Sequence, residues 1–247
     1  MAERRFIYGF HAVIAKLRHS PDAVSEIYLD RGRQDARARD LVKLAETHKV
    51  RLIQTDPARL DGMAGGNARH QGVVALVSGA QRVLKLDDVL DTLNEPALLL
   101  VLDGVQDPHN LGACLRVADA AGAHALIVPK DRACGLNATA IKVASGAAET
   151  VPYITVTNLA RTLRELQERN ILVLGAVGEA EADIYSVDQR GDVAWVLGAE
   201  GDGLRRLTRE TCDHQVRIPM LGSVESLNVS VASGICLFEA RRQRGHG

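Results

Sequence analysis

The sequence predicts an α/β protein in two parts: a C-terminal, mostly parallel sheet with helices on both faces, preceded by a small N-terminal α/β module. Three observations carry this prediction. From Pro96 onward, nearly unbroken apolar runs alternate with helical segments, which is how strands covered on both faces read. Before residue 80 the runs are shorter and more polar, and two helical patterns accompany them. The chain has 247 residues and is 46% hydrophobic, enough for two modest cores.

In chain order, residues 9–17 carry a helical pattern, 26–29 a strand, 36–48 a second helix, and 51–54 and 72–77 two further strands. Residues 62–72 are rich in glycine and polar groups and predict a mobile loop carrying Arg69 and His70. Residues 79–95 read as a connector in which Leu84, Leu86, Val89, Leu90 and Leu93 make one short amphipathic turn of helix. Beyond it, strands are expected at 97–102, 123–128, 151–156, 171–174, 193–197 and 215–218. Helices are expected between and after them at 111–121, closed by Gly122, then at 138–145, 159–169, 204–212 and 227–242. The domain boundaries this implies are 1–78, a linker at 79–95, and 96–247.

Ligands collect at the carboxyl ends of parallel strands, and three strand-to-helix junctions here are chemically unusual. At 103–117, Asn110 fits a helix cap, Gly112 permits close backbone approach, and Arg116 lies six residues on. Helical side chains lean toward the N-terminus, so the guanidinium is expected to point back toward Asn110, where its fork suits phosphate. At 196–204, Gly198, Gly201 and Gly203 let the backbone curl around a ligand beside Glu200 and Asp202. This loop comes too late in the chain for a dinucleotide fingerprint and lacks the Lys-Ser/Thr of a nucleoside-triphosphate loop. At 218–234, a strand end runs through a polar turn into an apolar helix, with Ser226 and Asn228 at the helix start. Unpaired N–H groups and partial positive charge gather there, so these side chains cap the helix or hold a carboxylate or a ribose.

Taken together, Asn110-x-Gly112-x-x-x-Arg116, then Leu197-Gly-Ala-Glu-Gly201 with Gly203-Leu204, then Ile218-Pro-Met220 with Ser226-Leu-Asn-Val-Ser230, resemble the three ordered motifs of the SpoU (SPOUT-class) RNA ribose 2'-O-methyltransferases. The resemblance spans about 150 residues. In the first third, Tyr8-Gly-Phe-His-Ala-Val13 and His70-Gln-Gly-Val73 resemble the substrate-binding domain found in the same family. The combination is most similar to the bacterial enzymes that methylate a guanosine in the peptidyl-transferase region of 23S ribosomal RNA. The resemblance implies S-adenosylmethionine as donor, a trefoil knot in the C-terminal domain, and a homodimer whose active site draws on both chains. It also implies that Gly198, Ile218 and Leu227 contact the cofactor through backbone, and that Glu200, Gly201, Met220, Ser226 and Asn228 line the site. Asn110 and Arg116 then face the RNA. A guanidinium has a pKa above about 12 and almost never loses its proton. Arg116 is therefore expected to bind a phosphate and stabilise the alkoxide, leaving water, phosphate or Glu200 to take the proton.

Composition bounds the alternatives. Residues 1–80 hold 13 Lys/Arg against 9 Asp/Glu, whereas the remainder holds 17 against 22, so an anionic partner fits the N-terminal part. Aromatic content is 3%, too low for a row of base-stacking side chains, and recognition by RNA shape is expected instead. Cys114, Cys134, Cys212 and Cys236 form no C-x-x-C pair and the eight histidines show no ligand spacing, so neither a disulfide framework nor a metal is expected. No secretory signal and no run of the ~20 apolar residues a membrane span needs is present, which predicts a cytoplasmic protein with no membrane partner. A transfer-RNA ribose methyltransferase fits the same three motifs. An RNA-binding ribosome-assembly factor without catalysis fits less well, because Asn110, Arg116, Glu200, Ser226 and Asn228 are all present.

Overall fold

A computed structural model of the chain describes residues 4–65, 70–78, 85–199 and 201–245. It divides into two compact units, Met1–Val83 and Leu84–Gly247.

The first unit contains β1 (Arg4–Tyr8), α1 (Phe10–His19), β2 (Val24–Asp30), α2 (Ala36–Thr47), β3 (Arg51–Thr55), α3 (Pro57–Ala64) and β4 (Val73–Ser78). Its sheet runs β1-β4-β2-β3, with β4 antiparallel to both neighbours and β2 parallel to β3. Successive strand side chains point to opposite faces, and that alternation sorts the residues here. Ile27, Leu29, Val73, Ala75 and Val77 pack with Phe10, Leu17 and Leu41 of α1 and α2, whereas Tyr28 and Val74 pack with Leu60 of α3. The helix α2 starts at Asp35, whose carboxylate accepts from the Ala38 N–H at 3.2 Å.

Two elements of this unit differ from the sequence expectation. The edge strand β1 reads RRFIY, too short and too charged to announce itself. Residues 62–64, expected in a loop, belong to α3, which starts with Pro57 in its first turn and ends at Gly65 with φ 87°. Arg69 lies outside the described residues.

The second unit contains α4 (Leu86–Leu90), β5 (Leu98–Asp103), α5 (Pro108–Ala120), β6 (Ala125–Pro129), α6 (Ala138–Ala144), β7 (Tyr153–Val156), α7 (Leu159–Glu168), β8 (Leu172–Ala176), β9 (Ala182–Asp183), β10 (Val193–Gly198), α8 (Arg206–Thr211), β11 (His214–Arg217) and α9 (Val229–Gln243). The sheet order is β7-β6-β5-β10-β8-β11-β9, and every pairing is parallel. Leu98, Leu100, Leu102 and Trp195 face α5 and α9 through Leu111, Leu115 and Leu237. Leu99, Val101, Ala194 and Val196 face α7 through Leu159, Leu163 and Leu166. Both faces are covered, which is why these strands read as unbroken apolar runs. The short edge strand β9 escaped that reading.

The strand order reverses around β5 and β10. Strands β5, β6 and β7 progress toward one edge, whereas β8 and β11 lie on the far side of β10. Such a switch point opens a crevice beyond the strand carboxyl ends. No helix among the described residues is long and apolar enough to cross a membrane.

Candidate active site

A cavity of 420 Å³ lies at the carboxyl ends of β8, β10 and β11. That is the size of a small-molecule site. Most of its described wall comes from 176–179 after β8, from 197–199 and 201–204 around the glycine loop, and from residues between 218 and 229 leading into α9, with Arg209 and Ala232 beside them. Leu197, Ile218, Leu227 and Val229 supply apolar surface, and Gly198, Gly201 and Gly203 bring backbone to the rim.

The glycine loop folds back on its own strand. The Gly203 N–H donates to the Ala199 carbonyl at 3.0 Å, and Gly201 and Gly203 take φ of 84° and 64°. A Cβ on Gly198 would stand 2.0 Å from the Gly203 carbonyl carbon, so no larger residue fits while the loop holds this shape. The charged groups lining the cavity are Glu179, Asp202, Glu225 and Arg209, whose Nε donates to Gln215 at 2.8 Å.

Next to this cavity two helix starts meet. Asn228 is the N-cap of α9, accepting from the Ser230 N–H at 2.9 Å and from the Ser230 hydroxyl at 2.6 Å. Its Nδ2 donates to Asn110 Oδ1 at 2.9 Å. Asn110 does not cap α5, as the sequence suggested. Asp107 does, accepting from the His109 N–H at 3.0 Å with Pro108 in the first helical position, and Asn110 sits within the first turn. Behind this junction, Cys114 and Ser233 meet at 3.7 Å between α5 and α9. A Cβ on Gly112 would come within 2.5 Å of the Ala140 carbonyl oxygen, so the close approach this glycine permits is that of α6.

Of the residues singled out in the sequence, Gly198, Gly201, Ile218, Met220, Ser226 and Leu227 line the cavity. Asn110 and Asn228 are joined beside it. Glu200 lies outside the described residues. Arg116 is exposed on α5, outside the cavity, and makes no hydrogen bond to Asn110. Ala176–Glu179, Arg209 and Glu225 were not foreseen. The rule that ligands gather at strand carboxyl ends pointed to the end of β8, but its Ala-Val-Gly-Glu sequence carries no distinctive chemistry.

The thiols near these elements are poor nucleophiles. Burial pushes Cys212 up to about 12 and raises Cys236 further, so both stay protonated at neutral pH. No group of three His, Cys, Asp or Glu among the described residues could hold a metal ion.

Residues 97–238 match the SpoU rRNA Methylase family, and residues 6–83 match the RNA 2'-O ribose methyltransferase substrate-binding family. The chain belongs to the SpoU methylase family. A relative in Ralstonia nicotianae, the 23S rRNA (guanosine-2'-O-)-methyltransferase RlmB, is 63% identical over 244 residues, 99% of this chain and 98% of its own. Among solved structures, the SpoU methyltransferase AviRb from Streptomyces viridochromogenes, in complex with the cofactor AdoMet, superposes with TM-score 0.77 at 27% identity, covering 99% of this chain and 92% of that one. The A. aeolicus TrmH/SpoU tRNA modifying enzyme is 30% identical with TM-score 0.56, covering 61% of this chain and 78% of its own. Described residues of the second and third SpoU motifs therefore line a cavity in an S-adenosylmethionine-dependent RNA methyltransferase, with Asn110 of the first motif beside it and Arg116 outside it.

Proposed function

We propose that this chain transfers a methyl group from S-adenosylmethionine to the ribose 2'-hydroxyl of a guanosine in 23S ribosomal RNA, and works in the cytoplasm. The observation that carries the site assignment is the convergence of Gly198, Gly201, Ile218, Met220, Ser226 and Leu227 on one cavity from the ends of two different strands, β10 and β11. The cavity suits the donor. Apolar walls accept an adenine, backbone groups of the glycine loop supply hydrogen bonds, and Glu179, Asp202 and Glu225 complement a sulfonium and an ammonium. Bound there, the donor supplies an electrophilic methyl group.

The chain's own residues must then hold the ribose hydroxyl in line and stabilise the oxygen as its proton leaves. The joined amides of Asn110 and Asn228 fix two helix starts at the rim, where partial positive charge favours a developing alkoxide. Arg116 stands exposed to grip an RNA phosphate through its fork. The proton goes to water, phosphate or Glu200. The N-terminal unit holds the folded RNA. The chain works as a homodimer, supported by the exposed Val231 and Phe238 on the outer stripe of α9, and the same family reading carries a trefoil knot in the 96–247 domain.

Ribosomal RNA is favoured over transfer RNA because the 63%-identical relative spans both units, whereas the likeness to the transfer-RNA enzyme covers 61% of this chain. The test is tritium transfer from S-adenosylmethionine to total RNA of a strain lacking the gene, followed by mapping. Label on a large-subunit guanosine ribose is expected. Label in transfer RNA overturns the substrate, and no label in either overturns catalysis.

A further inference from the structure

The Asp103 carboxyl is fully buried, yet it belongs to none of the groups the family resemblance assigns to catalysis. It is the last residue of β5 and lies opposite Gly198 in the β5–β10 register. A carboxylate removed from water must be compensated by nearby donors, and one residue supplies them. The Arg205 backbone N–H donates to Oδ2 at 3.0 Å, its Nε donates to Oδ1 at 2.6 Å, and its Nη2 pairs with the same oxygen. Arg205 is the N-cap residue of α8, directly after the glycine loop.

The loop thus leaves β10 beside Asp103 and returns to Asp103 seven residues later. Within it, the Gly203 to Ala199 hydrogen bond is a slender constraint on a segment with three glycines, whose backbone freedom is large. Neither Asp103 nor Arg205 lines the cavity, but the loop they close does.

We propose that Asp103 and Arg205 form a latch that holds Gly198, Ala199 and residues 201–204 in the shape that receives S-adenosylmethionine, so that both are positioning residues for methyl transfer. The inference rests on the reading of this cavity as the donor site. Ordering the loop in advance removes an entropic cost that binding otherwise has to meet. Breaking the latch therefore weakens the donor complex and leaves RNA affinity alone.

The experiment is calorimetric titration of full-length protein with S-adenosylmethionine, alongside steady-state kinetics on a 23S ribosomal RNA transcript. In Asp103→Asn and Arg205→Gln, the donor Kd and KM should rise by about 10- to 100-fold, with kcat at saturating donor within about threefold and the RNA KM unchanged. The double variant should lose no more than either single one, because the two groups act as one unit. Arg205→Lys keeps the charge but not the fork and should rise only about 3- to 10-fold, and it serves as the readout if the harsher variants fail to fold. Wild-type donor affinity in these variants, losses that multiply in the double variant, or equal effects on the donor and RNA constants would overturn the latch. Failure of the wild-type protein to bind the donor would instead overturn the reading of the cavity.

Discussion

Asn228 is a residue with two jobs that can be separated. As the N-cap of α9 it accepts the Ser230 N–H, and as an amide it donates to Asn110. Asn228→Ala removes both and should cost about 1 kcal/mol of stability, the usual loss for such a cap. Asn228→Asp keeps an acceptor and places a negative charge at a helix N-terminus, so the unfolding midpoint should hold or rise. Methyl transfer should fall at least about tenfold in both, since neither keeps the amide donor. Full activity in Asn228→Asp would reduce Asn228 to a cap. Arg116 poses a different question, because it is exposed and outside the cavity. A phosphate grip requires two parallel donors, so Arg116→Lys should lower kcat/KM by about 10- to 100-fold with an unchanged pH profile. Near-normal turnover across pH would remove the bidentate role, and a titration belonging to the new lysine would make residue 116 a base.

Between elements, α5 and α6 approach so closely that Gly112 has no room for a Cβ, which would meet the Ala140 oxygen at 2.5 Å and the Val143 Cβ at 2.7 Å. Gly112→Ala gains about 1 kcal/mol of helix propensity and loses about 1–3 kcal/mol to overpacking. Because the obstacle is a backbone oxygen that cannot swing aside, the packing cost lies at about 2–3 kcal/mol, and urea unfolding should show a net loss of about 1–2 kcal/mol. At the far end of α9, the Arg242 guanidinium beside Glu239 holds its carboxyl below the ordinary range, against a burial that pushes it up. A depressed folded-state pKa gives stability that is whole above the unfolded value of about 4.3 and is lost as pH falls through the folded value. The melting temperature should therefore drop more steeply below pH 5 in the wild type than in Glu239→Gln, and equal slopes would refute the coupling. Most elements were legible because a doubly covered sheet leaves unbroken apolar runs such as Leu98–Leu102. The edge strands β1 and β9 were not, because an edge demands little inward apolar surface. The Asp107-Pro108 start of α5 was written in the sequence, but Asn110 drew the reading away from it. The wall at 177–179 was not legible, since it becomes part of the site only because β10 lies between β5 and β8.

For the whole molecule, the decisive question is whether one chain makes a complete site. The inner stripe of α9, including Val229, Cys236 and Leu237, is buried in its own unit. Its outer stripe leaves Val231 and Phe238 each 51% exposed, seven residues apart, and the segment before it exposes Val224 and Leu221. In the proposed homodimer these exposed apolar side chains are the surface that a second copy would cover. A two-fold pairing presents the same patch from both copies, so a single change acts twice. Phe238→Glu should convert a particle of twice 26.6 kDa into one of 26.6 kDa by light scattering, and a wild-type protein already of that mass would refute the dimer. Whether the dimer shares its sites is read by mixing two inactive variants, Arg116→Ala and Asn228→Ala, after subunit exchange. If Arg116 of one copy serves the cavity of the other, half the randomly mixed dimers regain one intact site, and about one quarter of wild-type activity should return. If each chain keeps its own Arg116, every site in every mixed dimer carries a lesion and nothing returns, so the same measurement that supports a shared site can dismiss it.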